Sequence, residues 1–361
     1  MPEAALAQLA VYNARPTVRI NTQEYPLVSE LLLGLRMTER EGGLSALEAR
    51  LSNLASDGQG GADFAFEDNR VLKLGASITI YSGEVTEPRE IFQGTITGLE
   101  ADFRTDAPPE LVVLAEDVFQ RARMKRRTKI HAQTTLADLA RDLAGQLGLT
   151  PVITGLSDNI GVQMQLNESD LAFLRRLLAR YDGDLQIVGT ELHVSPRHDV
   201  RRGTVELALH QQLRQVRVLA DLAHQVAVLT VSGWDATQGQ RIRVSSHGAH
   251  FGPGQGQRGV DILTQALGER SEHLGHLAVD NETEAQALAD TAFDDRARRF
   301  VTVCGTAEGN AALRVGTNVT LTGLGDRFSN TYYVTEACHR YDLVRGYETD
   351  FKAEGSFWGG N

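Results

Sequence analysis

Four histidines are spaced as metal or acid–base chemistry would need them: His247 and His250 are three apart, and so are His273 and His276. Paired imidazoles suit zinc, but a catalytic zinc needs a third protein ligand, and no His-Glu-x-x-His run is present to supply one from a helix face. Surface or interface histidines are the expectation. Cys338 and His339 are adjacent, so in a strand they point to opposite faces and cannot work together as nucleophile and base. The stretch FGPGQGQRG at 251–259 has the glycine density of a phosphate cradle. It lacks the Gly-Lys-Ser/Thr ending, and no buried strand feeds it into a helix, so a flexible loop is expected. Two carboxylates would suffice for glycoside hydrolysis, yet spacing singles out no pair among 47 Asp and Glu residues. The expectation is a chain that is not an enzyme, with no catalytic residues, no cofactor and no metal.

Bulk properties bound the rest. A chain of 361 residues exceeds one ordinary core, so two or more domains are expected. A net charge of −11 argues against a surface built to hold nucleic acid, because phosphate binding needs a basic field. The basic run RARMKRRTK at 121–129 reads as a solvated connector, with contact to an acidic partner as the alternative. Cys304 and Cys338 are too few and too far apart for a disulfide scaffold or a zinc site. Residues 1–16 lack a basic start followed by an apolar run, and no later segment is long and apolar enough to span a bilayer. Neither export by a signal peptide nor membrane insertion is expected.

The elements follow from periodicity. Residues 17–38 read as strand, turn, strand, and residues 42–62, polar and Gly-rich around a few leucines, as a loop or a weakly formed piece. Alternation then returns at Ile78 and Ile80 and again at Ile91, Phe92, Ile96 and Leu99, with regular turns between, as in a small barrel or sandwich. Thr135 with Asp138 makes a capping box for a helix whose stripe is Leu136, Leu139, Leu143 and Leu147, ended by Gly148. A second helix is expected to be capped by Asn167 with Asp170 as box partner and Leu166 stapled to Leu171. Its buried stripe is Leu171, Leu174, Leu178 and Tyr181; Gly183 ends it in the left-handed region, and a hairpin follows around Gly189 and Thr190. Strand patterning resumes over 204–246 with a turn at 233–235, and residues 246–280 are polar and Gly-rich. Asn281 with Glu284 then caps a helix near 282–299, and short strands complete the chain.

An internal repeat organises these elements. LKLGASITI at 72–80 recurs as LRVGTNVTL at 313–321, so Gly75 matches Gly316 and Ile78 matches Val319. The expected fold class is α+β, mainly β: two related small β-barrels with an α+β insert between them. The boundaries are 1–129 for the first barrel, 130–203 for the insert with its helix and hairpin, and 204–361 for the second barrel with its helix. Three such chains around an axis would present six similar faces, and closed rings arise from heterologous contacts of this kind.

Several of these motifs, taken in order, carry a resemblance. The Asn-Glu-Ser-Asp start at 167–170, the Leu-rich helix and Gly-bounded hairpin after it, the Gly-x-x-Ile-x-Ile and Ile-Phe-x-Gly-x-Ile strands at 75–80 and 91–96, and the Gly-Trp-Asp at 233–235 resemble the phage late control D family. That family comprises baseplate hub proteins of contractile tails and the hub half of the valine-glycine repeat protein G of type VI secretion. The resemblance implies a homotrimer adapting a six-fold tail tube to a three-fold spike. Its partners would be the tube or a tube-initiator protein, a separate spike protein and other baseplate components, with no membrane and no specific nucleic acid. It would be assembled in the bacterial cytoplasm and carried in a virion tail or contractile injection particle. Longer members continue into an oligonucleotide-binding-type barrel and a β-helical needle; the sequence ends at 359–361 with neither, so the spike is expected on another polypeptide. The rival readings are a tail-associated peptidoglycan hydrolase and a glycan-binding module.

Overall fold

The computed structural model describes residues 15–56, 61–82, 88–275, 279 and 281–359. The expectations for residues 1–14, for the tip of the 42–62 segment at 57–60, for His276 and for the last two residues lie outside them. The protein is mainly β, with 47% of it in strands and 18% in helices. It forms two compact units: residues 1–125, 306–315 and 336–350 make the first, and 126–305, 316–335 and 351–361 the second. The stretch expected as an insert at 130–203 falls within the second unit, and the C-terminal strands contribute to both.

The first unit holds β1 (Thr17–Ile20), β2 (Gln23–Glu24), a short helix α1 (Pro26–Glu30), β3 (Leu32–Arg40), β4 (Ala46–Ser52), β5 (Leu54–Ser56), β6 (Ala62–Phe64), β7 (Ser77–Tyr81), β8 (Glu90–Asp102), β9 (Glu110–Glu116) and helix α2 (Phe119–Met124). The loop or weakly formed piece expected at 42–62 is overturned here, because β4 is a strand with Leu47, Ala49 and Leu51 buried in alternation. Its polar residues are simply the solvent face of a half-buried strand. Antiparallel pairing runs β3–β4, β4–β9, β9–β8, β8–β7 and β7–β1. The inward-facing residues of these strands, Val18, Ile20, Leu35, Met37, Leu47, Ile78, Ile80, Ile91, Ile96 and Val113, join one apolar core.

The second unit begins with β10 (Arg126–His131), helix α3 (Leu136–Leu147), β11 (Thr150–Ile153), β12 (Gln163–Ser169), helix α4 (Asp170–Leu178), β13 (Gly183–Val188), β14 (Glu191–Pro196) and a 3-10 turn at Arg197–Asp199. It continues with β15 (Thr204–Ala208), β16 (Leu213–Ala220), β17 (Val228–Asp235), β18 (Gln240–Ser246), β19 (Gln257–Arg258), helix α5 (Gly259–Leu267), β20 (Ser271–Leu274) and helix α6 (Glu282–Arg298). The chain closes with β21 (Val301–Glu308), β22 (Asn318–Thr322), β23 (Asn330–Asp342), β24 (Gly346–Gly355) and β25 (Phe357–Trp358). Helix α5 and β20 are elements that the polar, Gly-rich composition of 246–280 did not reveal. The expected turn at 233–235 is also corrected: Trp234 and Asp235 pair with Arg241 and Gln240 as the end of β17. The turn follows, where the Asp235 carboxylate accepts the amides of Thr237 and Gln238.

Helix caps show where local chemistry decided. Thr135 accepts the Asp138 amide at 3.0 Å and Asn281 accepts the Glu284 amide at 2.8 Å. The expected Asn167 cap is overturned: the cap of α4 is Ser169, whose hydroxyl accepts the Ala172 amide at 3.2 Å. Asn167 instead sits in β12 with φ of 48°, and its amide donates to Thr128. Asp170 stands in the first turn of α4, where it accepts from Gln165 and pairs with Arg127 at 3.0 Å. Leu166 is 58% exposed, so there is no staple to Leu171. Gly183 is corrected as well, because the left-handed residue is Asp182, with φ of 47°. A Cβ on Gly183 would meet Leu178 at 2.5 Å, so it is glycine for close packing.

The long strands share one hydrogen-bonded order. The six strands β1, β3, β4, β7, β8 and β9 line up as β3-β4-β9-β8-β7-β1, and β15, β16, β21, β22, β23 and β24 as β16-β21-β24-β23-β22-β15. Numbered along the chain within each set, both read second, third, sixth, fifth, fourth, first. One difference is that β1 runs antiparallel to β7 whereas β15 runs parallel to β22.

Candidate assembly surface

The paired nonapeptides come to matching places in the two sets. Gly75 and Gly316 both have φ of 83°, a conformation open to glycine at little cost. Each donates its amide at 2.9 Å to the next long strand, Gly75 to Ile96 and Gly316 to Val334, and the return bonds run from Ile96 to Ala76 and from Val334 to Thr317, also at 2.9 Å. Ile78 and Val319 follow three residues later, and both are buried. The same small loop therefore launches the fourth strand of each set and fixes its register against the fifth.

The fifth strands, β8 and β23, are longer than their fourth-strand neighbours. Asn330–Tyr333 of β23 pair with β22, and residues 336–342 of β23 pair antiparallel with β3, Glu336 opposite Arg40 and Asp342 opposite Gly34. Where β3 covers it, β23 is buried: Ala337 and His339 are fully inaccessible. The matching stretch of β8, residues 98–102, pairs with β9 on one edge. On its other edge β7 reaches only to Thr95, and no strand follows among the described residues.

The region around β3 and β23 also holds a buried carboxylate and a buried imidazole of the first unit. Burial alone would raise the Glu39 carboxyl, but the Arg314 guanidinium bonds it at 2.9 and 2.6 Å and the Val315 amide at 2.6 Å, which together hold it below its ordinary value. His339 meets the Tyr347 hydroxyl at 2.8 Å and the Thr349 hydroxyl at 3.3 Å. Its burial, with Arg314 nearby, pushes its imidazole down to about 3. Cys338 meets the Thr38 hydroxyl, at 3.6 Å, so the adjacent cysteine and histidine have separate partners.

A cavity of about 610 Å³ opens in the second unit. His198 and His250 stack across it with centroids 3.6 Å apart. Arg298 bonds Asp182 twice at 2.8 Å, and Arg197 reaches Glu354 at 2.8 Å while lying over the Tyr333 ring. Burial, and then the neighbouring His250, lower the His198 imidazole. Of the other spaced histidines, His247 contacts the Ala227 carbonyl and His273 the Ser232 hydroxyl. Among the described residues no three His, Cys, Asp or Glu side chains gather as a metal site. No helix among them is long and apolar enough to cross a membrane.

The structure brings Leu171, Leu174 and Leu178 of α4 into the core of the second unit, with Tyr181 half-buried beyond the helix end. Sequence reasoning missed Glu39 and its ion pair. The signal was present, since Glu39 continues the inward alternation of Leu35 and Met37 along β3. It also missed the stacking of His250 on His198, two residues remote in sequence that no spacing rule connects.

The fold has solved counterparts. A 43 kDa tail protein of prophage MuSo2 from Shewanella oneidensis superposes with a TM-score of 0.69 at 11% identity, over 94% of this chain and 97% of that one. A tail protein from Neisseria meningitidis MC58 gives 0.68 at 11% identity, over 95% and 97%. The E. coli c3393 protein, a component of the type VI secretion system, gives 0.56 at 13% identity, over 94% and 76%. At such identities these likenesses establish the fold. No curated protein matches the sequence. The family described as Alg8 N-terminal domain matches residues 48–342, most of the chain from β4 to the end of β23, and the protein belongs to that family.

Proposed function

We propose that the protein is a structural hub of a contractile tail or injection system, in which the two strand sets close as related barrels and three copies form a ring. The observation that carries this reading is the shared strand order of the two sets, launched by Gly75 and Gly316 in the same conformation. Two alike sets per chain make a triangle of chains resemble a hexagon. One side then meets a six-fold tail tube or tube-initiator protein and the other a three-fold spike on a separate chain, with further baseplate components around the rim. The tail-protein folds of the Shewanella and Neisseria structures support a place in a tail. So does the type VI component from E. coli. On this reading the work is geometric and no group is transformed, and the protein assembles in the bacterial cytoplasm before it enters the particle.

Obligate rings of this kind bury on the order of 2,000 Å² or more per interface. Sedimentation of the purified chain, 39.4 kDa as a monomer, is expected to give three times that mass at micromolar concentration. Averaged electron-microscope views down the axis should show six similar lobes. A mass that stays at the monomer value across the concentration range overturns the reading, as does a ring of another order.

A further inference from the structure

We infer that the uncovered half of β8 and the outer edge of β16 are the two faces of one interface, β16 of each copy adding to β8 of the next. This inference rests on the ring proposed above and names the edges that would close it.

The chain contains its own precedent. In strand-set terms, the bond between β3 and residues 336–342 of β23 joins a second strand to the far half of a fifth strand. A single chain holds one more second strand, β16, and one more fifth strand, β8. Among the described residues β16 has β21 as its sole strand neighbour, with Leu213 at its start also bridged to Leu209, and residues 98–102 of β8 have β9 alone. An open edge is a row of unpaired amides and carbonyls that favours pairing with another strand. The pairing already made once inside the chain leaves an unmatched half of the same pair at each end, and a second copy supplies the missing half. Repetition of such a head-to-tail contact closes a ring when the rotation per copy divides the circle.

Exposure points the same way. Counting on from the matched pair Ile96 and Val334, Phe103 corresponds to Tyr341. Tyr341, where β3 covers its strand, is 6% exposed; Phe103, at the end of the open stretch, is 62% exposed and stands edge-on to Phe64, itself 47% exposed. On the other edge Leu219 of β16 is 49% exposed. Charge is complementary and has the polarity of the internal junction. There, Arg40 of the second strand pairs with Glu336 of the fifth at 3.2 Å. The open edges carry Arg217 on β16 and Glu100 on β8, both exposed, while Asp102 is already bonded by Arg104.

The test uses the full chain in a Cys304→Ser background, with one added cysteine on each edge, Ala101→Cys and Val218→Cys, and a short bis-maleimide linker. The doubly substituted chain is expected to give dimers and closed trimers on a denaturing gel, and either single substitution neither. In parallel, Arg217→Glu should weaken self-association at least tenfold, and Glu100→Arg added to it should restore at least half of the loss, with thermal melting showing that both variants fold. A wild-type trimer whose edges neither cross-link nor respond to the charge exchange overturns the edge assignment and leaves the hub reading standing. Cross-linking at these edges into open chains of indefinite length supports the edges and overturns the three-fold hub. A wild-type chain that never associates overturns both.

Discussion

Glu39 and Arg314 meet in a two-point ion pair at 2.9 and 2.6 Å, joining the inward face of β3 to the loop before β22. Glu39 is 1% exposed while the Arg314 side chain keeps 28% of its surface. Removing the acid therefore leaves a guanidinium that water reaches in part, together with a Val315 amide that has lost its acceptor. Glu39→Ala is expected to cost about 3 kcal/mol in urea unfolding, near the low end for a broken buried pair. Replacing both partners, Glu39→Met with Arg314→Met, should cost less than the single change, because no charge is then left unmatched. Equal losses from the single and double changes would contradict this account.

Gly75 and Gly316 share a φ of 83° but differ in surroundings. A Cβ on Gly75 meets nothing within 4 Å, whereas one on Gly316 would stand 2.1 Å from Nη1 of Arg202, which bonds the buried Asp184. Gly75→Ala should thus cost only the left-handed strain, about 1 kcal/mol. Gly316→Ala should cost about 3 kcal/mol or more, since it must also dislodge an ion pair whose acid is buried. Denaturant melts of the two variants test the ranking directly.

The parts of the fold that were legible in the sequence are those written in contiguous chemistry. The caps Thr135 and Asn281, the hairpin turn at Gly189 and the nonapeptide repeat each need only a few neighbouring residues, and the structure has the two caps, the turn and a matching loop at each nonapeptide. The failures arose where two local signals competed. At 167–170 both Asn167 and Ser169 can cap, and the pairing of β10 with β12 through Ser169 carried the strand two residues further before the helix began. At 46–52 Arg and Glu on the solvent face masked a strand whose inner face is Leu47, Ala49 and Leu51. The edge pairing of β3 with β23 links residues some 300 apart, and short-range periodicity carries no information about it.

Acid should weaken the first unit through His339 before its carboxylates respond. The folded imidazole takes a proton only near about 3, whereas an exposed histidine does so near about 6.5. Between those values the unfolded chain binds a proton that the folded chain refuses, so stability is full above the upper value and falls with pH below it, by about 1.4 kcal/mol per unit. Glu39, held below its ordinary value, adds loss only at lower pH, once free carboxylates begin to protonate. His198, lowered by burial and by His250, adds a smaller loss in the second unit. His339→Gln keeps an acceptor for the Tyr347 hydroxyl, and it should flatten the stability profile between about pH 5 and 6.5. A slope unchanged by that substitution would place the acid sensitivity elsewhere.

The last expectation separates the two caps that compete at the start of α4. Ser169 accepts the Ala172 amide and is buried, so Ser169→Ala should destabilise the second unit by about 1 kcal/mol, the usual worth of a side-chain cap. Asn167 has φ of 48° and its side chain caps nothing. Asn167→Gly should therefore be neutral or gain a few tenths of a kcal/mol, as glycine takes that conformation more readily than asparagine. Were Asn167 the cap, the signs would change: Asn167→Gly would cost a few tenths of a kcal/mol and the serine's loss next to nothing. Thermal unfolding of the two variants side by side decides between these outcomes, because backbone strain and capping pull Asn167→Gly in opposite directions.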